Sequence, residues 1–251
     1  ISVTGTPDGQ TARCGHSVAD ITAGMFSLIG ILMALRGREQ TGRGQFVDVS
    51  MLDSMISAMA SNYANLLGSG IVPKPLGTAF ATIVPYAAFP TKDREIAIAV
   101  ASEKLWATFC DSIGKPEWIA DPRFATNPLR VANRTVLEPA IIEIFRTRTA
   151  AEWTAHFKST GIPCTPVRTL DEVVADPQSE ARHMFPVLHH PKAGEIKVTG
   201  APIKFSETAG AIESPAPLLG QHTAEALHHL LGLTAADIEA LTAEGVMKQS
   251  S

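Results

Sequence analysis

The stretch HSVADITAGMFSLIGILMALRGREQTGRGQFVDVS, residues 16–50, decides how the chain folds. Val18, Ile21, Met25, Leu28, Ile29 and Leu32 recur at helical spacing, so a long helix opens at Ser17. Gly24 and Gly30 lie inside it, each costing roughly 1 kcal/mol of helix propensity against alanine. That cost implies that a neighbouring backbone comes close. Arg36-Gly37-Arg38 places cations at the negative pole of the helix dipole and closes it. Thr41-Gly42-Arg43-Gly44 then reads as a turn, and Gln45–Val49 alternates as a short strand. Ser50, with Asp53 three residues on, caps a helix expected to run to about Leu67. Helix, tight turn, strand, helix is the grammar of an α/β fold.

Working outward, residues 1–16 are rich in Gly, Thr, Pro and Asp and read as loop. Residues 68–82 form a crossing segment. Val84–Phe89 and Glu95–Ala101 are strands around the turn Thr91-Lys92-Asp93-Arg94. Helices are expected at 103–113, 130–147 and 150–159, followed by the rigid, extended stretch Gly161–Val167. Thr169 starts a short helix, and short strands fill 183–205. A Pro- and Ala-rich linker at 208–218 leads to terminal helices at Gly220–Leu231 and Thr234–Ala243, with Gly232 as the stop between them.

With 251 residues, 45% of them hydrophobic and 18% charged, the chain can bury a substantial core in one large domain or two ordinary ones. Its net charge of −4 excludes broad attraction to nucleic acid or an anionic membrane. The apolar run around Met25–Leu35 is shorter than the ~20 residues of a membrane span. A buried helix is expected there, with no membrane partner. Cys14, Cys110 and Cys164 are odd in number and lack a CxxC pair, which points to reduced thiols in the cytoplasm. His189-His190 and His228-His229 lack HExxH or CxxC company. No metal site is expected, and surface or turn histidines explain them. The chain opens on Ile1-Ser2-Val3 without a methionine, as if partway through a longer protein.

Several stretches then form a pattern. Ser2-Val3-Thr4-Gly5 precedes Gly15–Asp20; Thr41–Gln45 leads into Val47-Asp48-Val49-Ser50-Met51-Leu52-Asp53; Pro85-Tyr86 and Phe89-Pro90 follow. Asp121-Pro122-Arg123-Phe124, Gly161-Ile162-Pro163-Cys164 and Pro217–Thr223 complete the series. Their order and spacing over nearly the whole chain resemble the family III CoA-transferases, the group of formyl-CoA transferase and carnitine CoA-transferase. The resemblance implies a Rossmann-like large domain made from residues 1–75, lacking the family's N-terminal portion. It implies a smaller α+β domain at 76–204, and a C-terminal segment, 205–251, that returns to the large domain. It further implies an interlocked homodimer, acyl-CoA and an organic acid as partners, coenzyme A thioester as co-substrate, and no tightly bound cofactor.

The family's nucleophilic aspartate falls on Asp20. A carboxylate ionised at neutral pH can attack a thioester without a base, splitting one hard exchange into easier steps through a mixed anhydride and an aspartyl-CoA thioester. Ser17-Val18-Ala19-Asp20 also fits a helix capping box, so from the residues alone Asp20 reads first as a cap, and it is the resemblance that turns the reading to a nucleophile. Gly42, Arg43 and Gly44 are candidates for CoA phosphates, since glycines expose backbone N–H groups and Arg43 adds charge; a plain turn is the alternative. His16 and Tyr86 are candidate substrate contacts, against a structural hydrogen bond and core packing. Asp48 and Asp53 read as strand-edge and cap residues, and Cys164 as a buried thiol.

Two rivals stay open. An α-methylacyl-CoA racemase would pair the aspartate with a histidine as acid and base at the α-carbon. A non-catalytic truncated or assembly chain would need no working site. The acceptor acid is not legible: formate, oxalate, succinate, carnitine-like and aromatic acids all fit.

Overall fold

The structure, a computed structural model, describes residues 1–247; the last four residues of the expected C-terminal segment lie outside it. Contacts divide the chain into two compact units, 1–167 and 168–251.

The first unit begins with a loop pinned by an isolated antiparallel bridge between Gly5 and Thr11. Gly5 sits at φ +145°, and a Cβ there would lie 2.0 Å from the Gln10 carbonyl oxygen, so only glycine fits. Helix α1 (Val18–Thr41) follows. It outruns the expected stop at Arg36–Arg38 and ends where Gly42 takes the left-handed conformation, φ +70°, its N–H donating to the Arg38 carbonyl at 2.8 Å. Two exposed arginines favour a helix end electrostatically, but the chain stops only where a residue without Cβ can turn it. Of the two internal glycines, Gly30 explains itself: a Cβ would meet Val47 Cγ1 at 2.9 Å, whereas Gly24 faces open space.

Gln45–Val49 forms no ladder among the described residues, and Phe46 is 92% exposed. Alternation marks a chain suited to a sheet, but a strand exists only through a hydrogen-bonded neighbour. The single helix expected to Leu67 is two, α2 (Met51–Ala58) and α3 (Ala60–Ser69), broken at Met59.

The core lies beyond this point. Strands β1 (Tyr86–Pro90), β2 (Glu95–Ala99) and β3 (Cys164–Pro166) form an antiparallel sheet in that order, pairing Tyr86 with Ala99 and Ile98 with Cys164. Alternate residues Ala87, Phe89, Ile96 and Ile98 face inward. Helices α4 (Glu103–Ser112), α5 (Glu117–Ala120), α6 (Asn127–Ala132), α7 (Arg134–Phe145) and α8 (Ala150–Thr160) complete the unit. Phe109, Phe145 and Phe157 pack ring on ring, with Trp153 5.0 Å from Phe145 between centroids and its indole N–H donating to the Phe145 carbonyl. The helix expected over 130–147 is divided at Asn133, whose amide donates to the carbonyls of Arg123 and Leu129.

The second unit carries short helices α9 (Leu170–Val174) and α10 (Pro177–Ala181) and the hairpin β4 (Val187–His190) with β5 (Gly194–Lys197). Helices α11 (Thr223–Leu231) and α12 (Ala235–Ala243) follow, with Gly232 left-handed between them as expected. The histidine pairs serve turns: His190 Nδ1 accepts from the N–H groups of Lys192 and Ala193, and His228 Nδ1 meets the Leu233 carbonyl at 2.8 Å. The mixed α/β class holds.

The expectation of a buried α1 does not hold within this chain. Ala23 is its one buried residue, while Ile21, Met25, Leu28, Ile29, Leu32 and Met33 are each about half exposed or more. By their helical spacing they share one broad apolar face, and such a face needs apolar cover. With 24 residues, it is also long and apolar enough to cross a membrane, contrary to the shorter run read from the sequence.

Candidate active site

Asp20 stands third in α1, exposed, where the first-turn N–H groups and the helix dipole gather positive charge. The capping box suggested by Ser17-Val18-Ala19-Asp20 is not formed: Ser17 makes no side-chain cap bond, and the Asp20 carboxylate has no hydrogen-bond or ion-pair partner among the described residues. Elsewhere the same pattern does close. At α8, Thr149 Oγ1 accepts from the Glu152 N–H while the Glu152 carboxylate accepts from the Thr149 N–H at 2.8 Å. At α12, Thr234 and Asp237 do the same. Ser17 fails because its backbone, at ψ 70°, leaves the extended conformation that Thr149 and Thr234 adopt.

His16 lies four positions before Asp20, exposed, its Nδ1 3.4 Å from Cys14 Sγ. The Gly42-Arg43-Gly44 turn is at the other end of α1. At 1.5 Å per residue it is about 33 Å along the axis from Asp20, so one chain does not bring the two together at a reacting group. Arg43 and Gly44 do line a concavity with Gly37, Thr41 and Gln45, and the Arg43 N–H donates to Thr41 Oγ1 at 3.3 Å. Tyr86 is 38% exposed at the start of β1 and stacks on Phe80, 5.2 Å between centroids. It belongs to the sheet's open end rather than to the core.

Asp48 and Asp53 line a cleft of about 380 Å³ with Phe26, Gly30 and Val47, and Ser50 Oγ accepts from the Asp53 N–H as expected of a cap. Cys164 is half-buried, its thiol pushed up by burial, with Thr154 Oγ1 3.9 Å away. Burial outweighs the Thr154 contact, which acts the other way, and the raised thiol points away from a thiolate nucleophile.

Sequence reasoning missed a polar lock. Arg130, 1% exposed, donates from Nε to the Val84 carbonyl at 2.8 Å and from Nη1 to the Phe124 carbonyl at 2.9 Å. Its guanidinium also forks onto the Glu103 carboxylate and lies 4.6 Å from the centroid of the Trp106 ring. Asn127 grips the same segment, accepting from the Val84 N–H and donating to the Thr82 carbonyl. Arg134 donates to the carbonyls of Phe80 and Ala81. The one signal in the sequence was Asn127-x-x-Arg130, two polar groups on one helix face.

Comparison with known proteins settles the ancestry. The family model for CoA-transferase family III matches residues 1–223. The chain belongs to CoA-transferase family III. It is 34% identical to succinyl-CoA:glutarate CoA-transferase of Mus musculus over 247 residues, 98% of this chain and 57% of that one. It is 33% identical to acetyl-CoA:oxalate CoA-transferase of Acetobacter aceti over 223 residues, 88% of this chain and 56% of that one. A crystal structure of a CAIB/BAIF family protein from Brucella suis superposes with TM-score 0.75 at 33% identity, covering 91% of this chain and 59% of that one. The chain thus spans a little over half the length of these relatives.

Proposed function

We propose that this chain carries the nucleophile of an acyl-CoA:carboxylate CoA-transferase and that the nucleophile is Asp20. The observation that carries this reading is the unpartnered Asp20 carboxylate at the head of α1. A carboxylate engaged as a cap would be tied to a backbone N–H, and this one is left open for chemistry.

In the proposed sequence, an Asp20 oxygen attacks the thioester carbonyl, the C–S bond breaks, and CoA leaves as a thiolate. The thiolate attacks the aspartyl carbonyl of the mixed anhydride, releasing the donor acid and leaving an aspartyl-CoA thioester. The acceptor carboxylate attacks that thioester and again expels the thiolate. Attack of the thiolate on the acceptor's acyl carbon gives the new acyl-CoA and frees Asp20. Each step exchanges leaving groups at one carbonyl and needs no external base. The α1 N-terminus stabilises the oxyanion that develops beside it. His16 and Tyr86 are proposed as substrate contacts. Arg43 and its flanking glycines are proposed for phosphate at a distance from the reacting carbonyl.

The acceptor is proposed to be a dicarboxylate, because glutarate and oxalate in the relatives' names share two carboxyl groups. A homodimer in a reducing, cytoplasmic setting completes the proposal, supported by three free cysteines and by the apolar surface of α1. Exchange of labelled succinate into succinyl-CoA without acceptor tests the two-step route. Exchange is expected in the native chain and none in Asp20→Asn; equal exchange in both would refute the assignment of Asp20.

A further inference from the structure

Strand β1 is an edge of its sheet, and residues 78–80 run along its outer side. Thr78 Oγ1 accepts from the Ala88 N–H at 3.0 Å, and the Phe80 N–H donates to the Tyr86 carbonyl at 2.8 Å. The Phe80 ring also lies on the Tyr86 ring, 19° from parallel. Phe80 thus grips Tyr86 twice, by its backbone and by its face. The Tyr86 hydroxyl, at the far end of that ring, has no hydrogen-bond partner among the described residues.

Phe80 is itself held. Arg134 donates from Nη2 to the Phe80 carbonyl at 2.6 Å and from Nη1 to Glu138 Oε1 at 2.7 Å. Local rules do not favour an arginine there. It is the first residue of α7, where the helix dipole opposes a cation, and it is half-buried, where a charge loses water. Glu138, one turn on, offsets the charge. The other arm of the planar fork reaches a carbonyl 54 positions back. Asn127 and Arg130 already tie Thr82 and Val84 to the core. What Arg134 adds is the placement of Phe80, and with it the Tyr86 ring.

We propose that Arg134 is a positioning residue: through Phe80 it aims the free Tyr86 hydroxyl at a substrate of the transferase. This rests on the reading of Tyr86 as a substrate contact.

Steady-state kinetics with succinyl-CoA and glutarate test it, with urea denaturation alongside. Tyr86→Phe is expected to raise the KM of one substrate about tenfold, the loss of one hydrogen bond to a charged group. Arg134→Met and Phe80→Leu raise the same KM, and neither adds to Tyr86→Phe in the double variant, because all act through one hydroxyl. Arg134→Lys restores part of the loss. Thr149→Ala, which loses a remote helix cap, leaves KM unchanged. The chain has two tyrosines, Tyr63 and Tyr86, so 3-fluorotyrosine labelling gives two fluorine resonances, assigned through Tyr63→Phe. In Arg134→Met the Tyr86 resonance moves and that of Tyr63 does not.

Additive KM effects, an equal rise in Thr149→Ala, or an unmoved Tyr86 resonance in Arg134→Met would overturn the positioning role. Native KM values in Tyr86→Phe would refute the substrate contact, and the role with it. The resonance reads the link from Arg134 to Tyr86 without turnover, so failure of the transferase reading and failure of this link are told apart.

Discussion

Ser17 and Asp20 occupy the two ends of a capping motif that stays open, while Thr149 and Glu152 close a motif of the same kind at α8. The difference predicts opposite stability effects. Thr149→Ala loses a cap and costs about 1 kcal/mol. Ser17→Ala removes no bond and leaves the urea midpoint unchanged. Equal losses at the two positions would restore Asp20 to a capping role.

Arg130 is buried at 1% side-chain exposure and its carboxylate partner Glu103 is 56% exposed. The guanidinium holds the Glu103 carboxyl below the usual range, with the Asn127 N–H assisting against the cost of burial. A depressed carboxyl pKa contributes stability that is full above the unfolded value near 4.5 and is lost as pH falls through the lower folded one. Glu103→Gln therefore costs about 1 kcal/mol at neutral pH, discounted for the solvated partner. The gap between variant and native chain closes below the ordinary glutamate range. Urea denaturation from pH 3 to pH 7 reads it, and a gap that widened on acidification would contradict the assignment.

The thiols should react in the order of their surroundings. Cys110 is fully buried in the core, its thiol pushed up to about 12 by desolvation. Cys164 is half-buried and also raised, and Cys14 lies half-buried in the loop before α1. With a colourimetric disulfide reagent at pH 8, Cys14 is expected to react first, Cys164 slowly, and Cys110 only on unfolding. Rapid labelling of Cys110 in the folded chain would mean that the Phe109–Phe157 core is not closed.

What the sequence carried was the local part. The hairpin at 86–99 follows from alternation around a turn, and Gly232 marks a helix end because a left-handed residue is needed there. Non-local facts stayed hidden. The break at Asn133 depends on a carbonyl ten positions back, and the lock from Arg130 to Val84 spans 46 positions. Gln45–Val49 has a strand's alternation, but pairing is a property of two segments and not of one. Asp20 was legible as a position with two uses; that the capping bond is not made required the backbone angle at Ser17. The exposure of α1 lay outside local reading for the same reason: periodicity shows that apolar faces exist, not what meets them.

The central claim is that Asp20 becomes covalently acylated. Mixing the chain with succinyl-CoA and a panel of dicarboxylic acids, trapping with hydroxylamine and mapping the peptide Cys14–Arg36 by mass spectrometry tests it directly. A hydroxamate on Asp20, absent without acyl-CoA, is the predicted result. An unmodified Asp20 with the acyl-CoA consumed and the new thioester formed would contradict it.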